Sequence, residues 1–543
     1  MLQDFSMKIM GRISYPLAGL LIGLHLLLPL SLASAETLAD IDREIQTDPT
    51  IKTEPDGFDA YNIYEGVTDS RLDRKITILQ AAGVNPRFFQ TGDGNRDYTN
   101  FYSFTGRAGV TDTRLDLVTT DSTLRLYRRG NSGYQEAMGY LGSWWGDRYR
   151  GIEGSRDEQA ILAAWGSDLQ RIYVIDMPAG HTLVGGLAAP MEKNGEYRSG
   201  GAYQYYYRGA STGWLVYALY APDYLKSYSG AVTSAQKAGR SIATDLGDHL
   251  NQTRYAATFD QNTKDGETID RAGEFWVRGF GGDLDYNEND GSSVRSQTGG
   301  MSVGWQRMLN GKQAADQSRS YLGLMVGQGI NLQKYDTSDV ENDSRATVGG
   351  IYGLYMQNPE GLSSWYGSCS LLYGRLSLSN TVPGELGYGL DQEYDGNISV
   401  LTIENGISFR RDNGWSLEPQ LQLSYTRIDQ SDFNDNLGAR VSLEQGDSYR
   451  GRLGLEVRKT LNNTDYRKLS AWTRLSYVHD FSDPNEVSVA GDLAVSELDP
   501  NSYELAVGTD LELNQRWFLQ GQIEEVFDGE RGLQGSLALK YTW

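Results

Sequence analysis

Cysteine is almost missing from this 543-residue sequence: Cys369 is the only one. A single thiol closes no internal disulfide and builds no thiolate cage for a metal. Histidine is nearly as scarce, with four residues, and His181 and His249 stand isolated. No metal site is expected. Basic charge is also short. Against 71 Asp and Glu there are 49 Lys and Arg, a net charge of −22. Nucleic acid is therefore not expected as a partner, because duplex binding requires a basic face. Long apolar runs are absent beyond the N-terminus, and mean hydropathy is −0.49. That excludes a bundle of transmembrane helices. It does not exclude a membrane β-barrel, whose strands give only alternate residues to lipid. What the sequence has in quantity is Gly (64), Tyr (35) and Trp (11). At about 150 residues per domain, the length suggests roughly three or four units, and fewer if one is a barrel.

Residues 1–35 read as a secretory signal. Lys8 and Arg12 give the positive start, and an apolar core runs from Pro16 to Leu32. Ala33-Ser34-Ala35 forms an A-x-A cleavage site, so the mature chain is expected to begin near Glu36.

From about Glu274 onward, segments of about ten residues alternate in hydrophobicity between Asp-, Asn- and Gly-rich loops. Leu417, Leu421, Leu423 and Tyr425 fall on one face of a strand, with Glu418, Gln420, Gln422 and Ser424 on the other. The last strand repeats the pattern. Leu537, Leu539, Tyr541 and Trp543 point one way, and Ser536, Ala538, Lys540 and Thr542 the other. Tyr425, Tyr477, Tyr541 and Trp543 lie near strand ends, where an interfacial girdle would place them.

These strands resemble the autotransporter β-domain of Gram-negative bacteria, over about half the chain. The likeness rests on Phe275-Trp276-Val277-Arg278-Gly279-Phe280, on Gly350-Ile351-Tyr352-Gly353-Leu354-Tyr355, and above all on Glu418 to Tyr425. Gly446-Asp447-Ser448-Tyr449-Arg450-Gly451-Arg452-Leu453-Gly454 and the terminal Tyr541-Thr542-Trp543 extend it. The resemblance implies an antiparallel transmembrane barrel of about twelve strands, which 270 residues supply at roughly 22 per strand and loop. It also implies outer-membrane lipid as surroundings, recognition by the barrel assembly machinery through the Trp543 strand, and one chain per pore. Ser229 to Thr258 has helical texture with small and polar residues and no broad apolar face. Such a helix is marginal alone. By resemblance it threads the pore. Glu418, Arg440, Arg452 and Arg474 are expected to line the lumen and hold it.

Residues 36–226 remain as an exported passenger, followed by a linker with the pore helix (227–273) and the barrel (274–543). The passenger shows no internal repeat of 20–50 residues. Its composition reads as a compact α+β domain. Leu124 to Gly130 alternates as a strand, and Ile172-Tyr173-Val174-Ile175-Asp176 is another. Ser155 to Trp165 reads as a short helix with Ser155 as its N-cap.

This layout resembles the ADP-ribosyltransferase superfamily, which cleaves NAD at the nicotinamide–ribose bond. In the cholera-toxin-like branch a Tyr-Arg strand binds the dinucleotide, which implies that role for Arg128 in Leu126-Tyr127-Arg128. Gly154-Ser155 stands where that branch has Ser-Thr-Ser, which implies a cofactor contact for Ser155. Glu196, ahead of Gly200-Gly201, takes the place of the catalytic glutamate. The necrotizing-toxin type of NAD glycohydrolase is a second branch. Gly186-Leu187-Ala188-Ala189-Pro190 and Gly200-Gly201-Ala202-Tyr203-Gln204-Tyr205 are similar to its motifs, and there Gln204 would act on NAD. The chemistry suits these groups. A guanidinium can hold a pyrophosphate through two bonds, and a polar group beside the ribose stabilises developing positive charge. Exposed Trp144, Trp145 or Tyr203 would stack on a base. An adhesin or a domain binding a host target protein is the competing reading, since Tyr-, Gly- and Asn-rich loops suit recognition. Convergence of Arg128 with Glu196 or Gln204 on one cleft would favour the enzyme.

The expected whole is an outer-membrane autotransporter that displays or releases its own passenger at the cell surface.

Overall fold

The computed structural model describes residues 36–49, 69–102, 104, 115–131, 141–256, 273–310, 318–359, 361–462, 468–514 and 516–543. The expected export signal lies outside the described residues.

The chain opens on α1 (Leu38–Thr47), α2 (Asp69–Ala81) and the single turn α3 (Thr99–Tyr102). Thr37 and Asp40 form a reciprocal capping box that starts α1. Leu38, Ile41 and Ile45 repeat at helical spacing and pack with Leu72, Ile76 and Leu79 of α2. A buried Lys75–Asp42 ion pair links the two helices.

The strands that follow are β1 (Asp116–Thr119), β2 (Leu124–Gly130) and β3 (Trp144–Gly146). After α4 (Ile152–Glu158) come β4 (Arg171–Met177), β5 (Thr182–Leu187), the small hairpin β6 (Met191–Lys193) and β7 (Glu196–Arg198), β8 (Tyr203–Tyr206) and β9 (Leu215–Tyr220). Seven of them form one sheet in the order β1-β5-β8-β3-β2-β4-β9. The seam between β2 and β3 is held by one residue pair, Tyr127 with Gly146. Leu126, Trp145, Tyr173, Ile175 and Leu183 form one core of this domain.

The reading of Ser155 as an N-cap is corrected. Helix α4 begins three residues earlier, Gly151 occupies the cap position, and Ser155 is buried within the helix. The same stretch does not run on to Trp165. It breaks after Glu158, and Ala163–Trp165 forms a separate 3-10 turn.

Strand β9 runs directly into α5 (Ala221–Ala256), which starts eight residues before the helical texture suggested. Pro222 and Asp223 in its first turn suit a helix N-terminus. At 36 residues the helix is about 54 Å long, enough to reach from the N-terminal domain deep into the barrel.

The barrel begins with β10 (Gly273–Asn287), β11 (Ser293–Met308), β12 (Arg319–Tyr335), β13 (Glu341–Met356), β14 (Ser363–Val382), β15 (Leu390–Arg410) and β16 (Trp415–Asp429). Two short strands, β17 (Phe433–Asn434) and β18 (Arg440–Gln445), precede β19 (Asp447–Asn462) and β20 (Lys468–Asp480). Two more, β21 (Asn485–Val489) and β22 (Asp492–Ser496), precede β23 (Asn501–Glu512), β24 (Trp517–Phe527) and β25 (Glu530–Thr542). Twelve strands close into an antiparallel barrel, β25 pairing with β10 from Glu274↔Thr542 to Tyr286↔Glu530. The period-two pattern has the sense expected. Leu417, Leu421, Leu423 and Leu537 are exposed on the outer wall, while Glu418, Gln420 and Lys540 are buried inside. Aromatic pairs ring both ends: Tyr425–Tyr449 and Tyr503–Phe527 at one, Tyr355–Trp365 and Trp517–Tyr541 at the other.

The four short strands form a separate sheet, β17-β18-β21-β22, above the barrel wall. Its Val441, Val487, Val489 and Ala494 pack in one cluster with Tyr228 and Val232 of α5. Arg440 belongs to this extension. It is exposed and paired with Asp432, so its expected place in the lumen is corrected.

Candidate functional site

Three arrangements carry chemistry: the filled lumen, the contact between the N-terminal domain and the barrel, and a cavity within that domain.

In the lumen, small and polar residues of α5 meet charged residues of the wall. Arg254 bonds Glu404 at 3.0 Å and Glu418 at 2.8 Å, and it also donates to Asn251. Arg278 bonds Asp245 at 2.7 Å, and Arg474 reaches Asp248 and Glu524. Arg452 also bonds Glu404. Gly230 lies against Tyr335 and Gly239 against Ile398 so closely that an added Cβ would overlap either side chain. The helix is thus both clamped by charge and tightly fitted. Asn251 donates to Glu456 at 2.8 Å.

The N-terminal domain sits on the extension above the wall. The Asp492 carboxylate accepts from the Ile152 amide at 2.7 Å and from Arg129 Nη2 at 3.0 Å. It caps α4 from 340 residues away in sequence, which is why Gly151 needs no capping side chain. Burial pushes this carboxyl up, and Arg129 and the Ile152 amide pull it down. Arg129 is itself buried and also donates to Arg150 O, Leu169 O and Tyr149 OH. Asp435 accepts from Tyr224, from Tyr228 at 2.8 Å and from two backbone amides of its own loop. Arg171 pairs with Glu385, and the Ala218 amide donates to Tyr388 O at 2.9 Å. No local sequence signal marks Asp492 or Glu385, because their partners are distant in the chain.

A cavity of about 280 Å³ lies where β2, β3 and β8 meet the segment after α4. Arg128, Gln204, Trp144, Gln159, Trp165 and Ala189 are among its lining residues. Arg128 Nη1 is 3.5 Å from Trp144 O. Its Nε is buried without a hydrogen-bond partner among the described residues. Gly142 has φ +87°, and a Cβ there would overlap the Arg128 guanidinium. Glycine at this position therefore serves both the turn and the close approach. Gln204 is buried between two glycines, pairing with Gly146 on β3 and Gly186 on β5.

Arg128 and Gln204 are thus brought together, and Glu196 is not. The Glu196 carboxylate accepts from the Ala163 and Ala164 amides at 3.0 and 3.1 Å and pairs with Arg198. It caps the 3-10 turn that carries Trp165, and those two amides hold it below the ordinary carboxylate range. Ser155 is buried in α4 and is not among the lining residues. The expected stacking surfaces are also redistributed. Trp145 is a buried core residue and Tyr203 donates to Asp116, while Trp144 lines the cavity and packs edge-on to Tyr206. Trp165, 51% exposed at the cavity, is the aromatic that motif reading passed over. His181 bonds Tyr207 at 2.9 Å and packs against Trp214, a structural role.

The family described as Autotransporter beta-domain matches residues 275–524. The pertactin autotransporter of Bordetella parapertussis is 27% identical over 237 residues, 44% of this chain and 25% of its own length. The adhesin BmaC autotransporter of Brucella suis is 28% identical over 194 residues, 31% of this chain and 6% of its own. The chain thus spans a quarter or less of these two relatives. Among solved structures, the β-domain of the Bordetella autotransporter Brka aligns over 50% of this chain and all of its own, at 19% identity and a TM-score of 0.42. A closed twelve-stranded barrel, an inward polar face, a helix in the bore and this family match agree. Residues 275–524 are thus an autotransporter β-domain, a closed antiparallel barrel of the outer-membrane type.

Proposed function

We propose that the passenger hydrolyses NAD at the nicotinamide–ribose bond while it remains seated on its barrel. The observation that supports this is the convergence of Arg128 and Gln204 on one cavity, with Glu196 turned to a capping role. Of the two branches the sequence resembles, that arrangement suits the glycohydrolase better than the transferase. The cavity's size is near the lower edge of small-molecule sites, about 300–1,000 Å³. It suits the nicotinamide-nucleoside end of the substrate.

The reaction asks little of the protein. The bond between the ribose carbon and the ring nitrogen breaks, its electron pair goes to nicotinamide, and positive charge develops on the ribose. Water adds to that carbon and releases a proton to solvent, giving ADP-ribose. Arg128 would hold the pyrophosphate through its fork, and its unpartnered Nε supplies a further donor. The Gln204 carboxamide would orient the ribose or the incoming water as a fixed dipole. Trp165 would cover the base and limit access of bulk water.

The test supplies NAD outside intact cells that display the full chain and measures nicotinamide release. Arg128→Ala and Gln204→Ala should each reduce turnover by about a hundredfold, the usual scale for one preorganised donor. Glu196→Ala should keep most of it. No release from a surface-displayed, protease-resistant domain overturns the proposal. The similarity to an adhesin autotransporter supports a second reading, recognition of a host surface. Adherence of displaying cells without NAD turnover would favour it.

A further inference from the structure

The outer wall of the barrel holds a second polar site that the display function does not use. On β14 the outward residues run Trp365, Cys369, Leu371, Tyr373, and then Arg375. Tyr373 ends the lipid-facing run on this strand, and Arg375 follows one outward step above it, about 7 Å along the strand. Register places Arg375 opposite Thr347 on β13 and Asn397 on β15. Arg345 lies opposite Ser377, diagonal to Arg375 on the same outer face. The two arginines line one cleft of about 490 Å³ with Ser377, Asn397, Asp395 and Asp429.

Neither arginine has an ion pair or hydrogen bond among the described residues. Three other cations at this end are matched: Arg295 with Asp283, Lys334 with Glu341, and Arg440 with Asp432. Two adjacent unmatched guanidiniums repel each other, and an anion between them would remove that cost. Their height selects the anion, since they stand just beyond the apolar band on the surface side. A phosphate there would come from lipid, and arginine forks match phosphate geometry. The Asp395 carboxylate, which accepts from Ser377 at 3.0 Å, and that of Asp429 would repel a bare phosphate. They fit one that is attached to a sugar, whose hydroxyls they can accept.

We propose that this cleft binds the phosphorylated sugar headgroup of an outer-leaflet glycolipid, with Arg345 and Arg375 on the phosphate. The proposal is independent of what the passenger does.

The test titrates full-length protein in detergent with a phosphorylated diglucosamine lipid, alongside the same lipid with its phosphates removed and inorganic phosphate alone. Wild type should bind the phosphorylated lipid at about one per chain. Arg345→Gln with Arg375→Gln should weaken it at least about tenfold, since two charge-assisted forks are lost. Removal of the lipid's phosphates should have the same effect. Arg295→Gln, whose partner is Asp283, should change nothing. Both substituted residues face outward, and heat-dependent gel mobility verifies that each barrel is folded. Equal binding by wild type and double variant overturns the proposal. So does equal affinity for inorganic phosphate and the lipid.

Discussion

Substituting Asp492→Ala removes an anion that serves two elements of a different domain. Its oxygens accept from the Ile152 amide at 2.7 and 2.9 Å and from Arg129 at 3.0 Å. Without it, Arg129 stays buried with three neutral acceptors and no countercharge. Breaking a buried pair by deleting one partner costs about 3–5 kcal/mol. The retained acceptors put this case at the lower end, about 3 kcal/mol, including the lost cap of α4. With a urea dependence of about 2 kcal/mol per molar for a domain of this size, the unfolding midpoint should fall by about 1.5 M. The assay is a brief protease pulse on displaying cells across a urea series, scored by intact passenger. Arg129→Ala and the double variant complete a cycle, and the coupling should lie within about 0.5–3 kcal/mol. A midpoint shift below about 0.3 M, or additivity of the two substitutions, would refute the idea that the barrel's extension stabilises the passenger.

Gly142→Ala should abolish NAD turnover while the domain stays folded, because the new methyl overlaps the Arg128 guanidinium; nicotinamide release and protease resistance check the two halves. Arg254→Ala together with Arg278→Ala should loosen α5, since Glu404, Glu418 and Asp245 lose their helix or wall partners. Single-channel conductance in planar bilayers should rise at least about twofold as the bore opens to water. Glu196 has its carboxyl pKa lowered in the fold by the Ala163 and Ala164 amides. Its stabilisation is therefore full above the unfolded value near 4.5 and is lost as pH falls through the lower folded value. Wild type should be more stable than Glu196→Gln at pH 6, with the gap closing below pH 4.5, as read from thermal melts of the passenger.

The barrel was legible because lipid imposes one rule on every strand. Residues such as Leu421 and Gln422 must alternate wherever the strand stands, so a local window suffices. The helix was legible for the related reason that a polar bore demands small polar residues. The extension β17-β18-β21-β22 was not. Val441 pairs with Val489, and nothing near either residue in sequence announces the other. Arg440 was misplaced on that account. The same limit explains Ser155, since the cap of α4 comes from Asp492 and no local pattern reports it. In the passenger, motif reading singled out Arg128, Gln204 and Glu196 alike, and the first two line one cavity. It had no means of separating Gln204 from Glu196, because Glu196's partners are backbone amides.

Helix α5 is covalently continuous with the passenger's last strand and occupies the bore along its length. Gly230 and Gly239 leave no slack against the wall. A barrel in this state has no free conduit for a second polypeptide. Each copy therefore blocks its own bore with the helix that ties it to its own N-terminal domain.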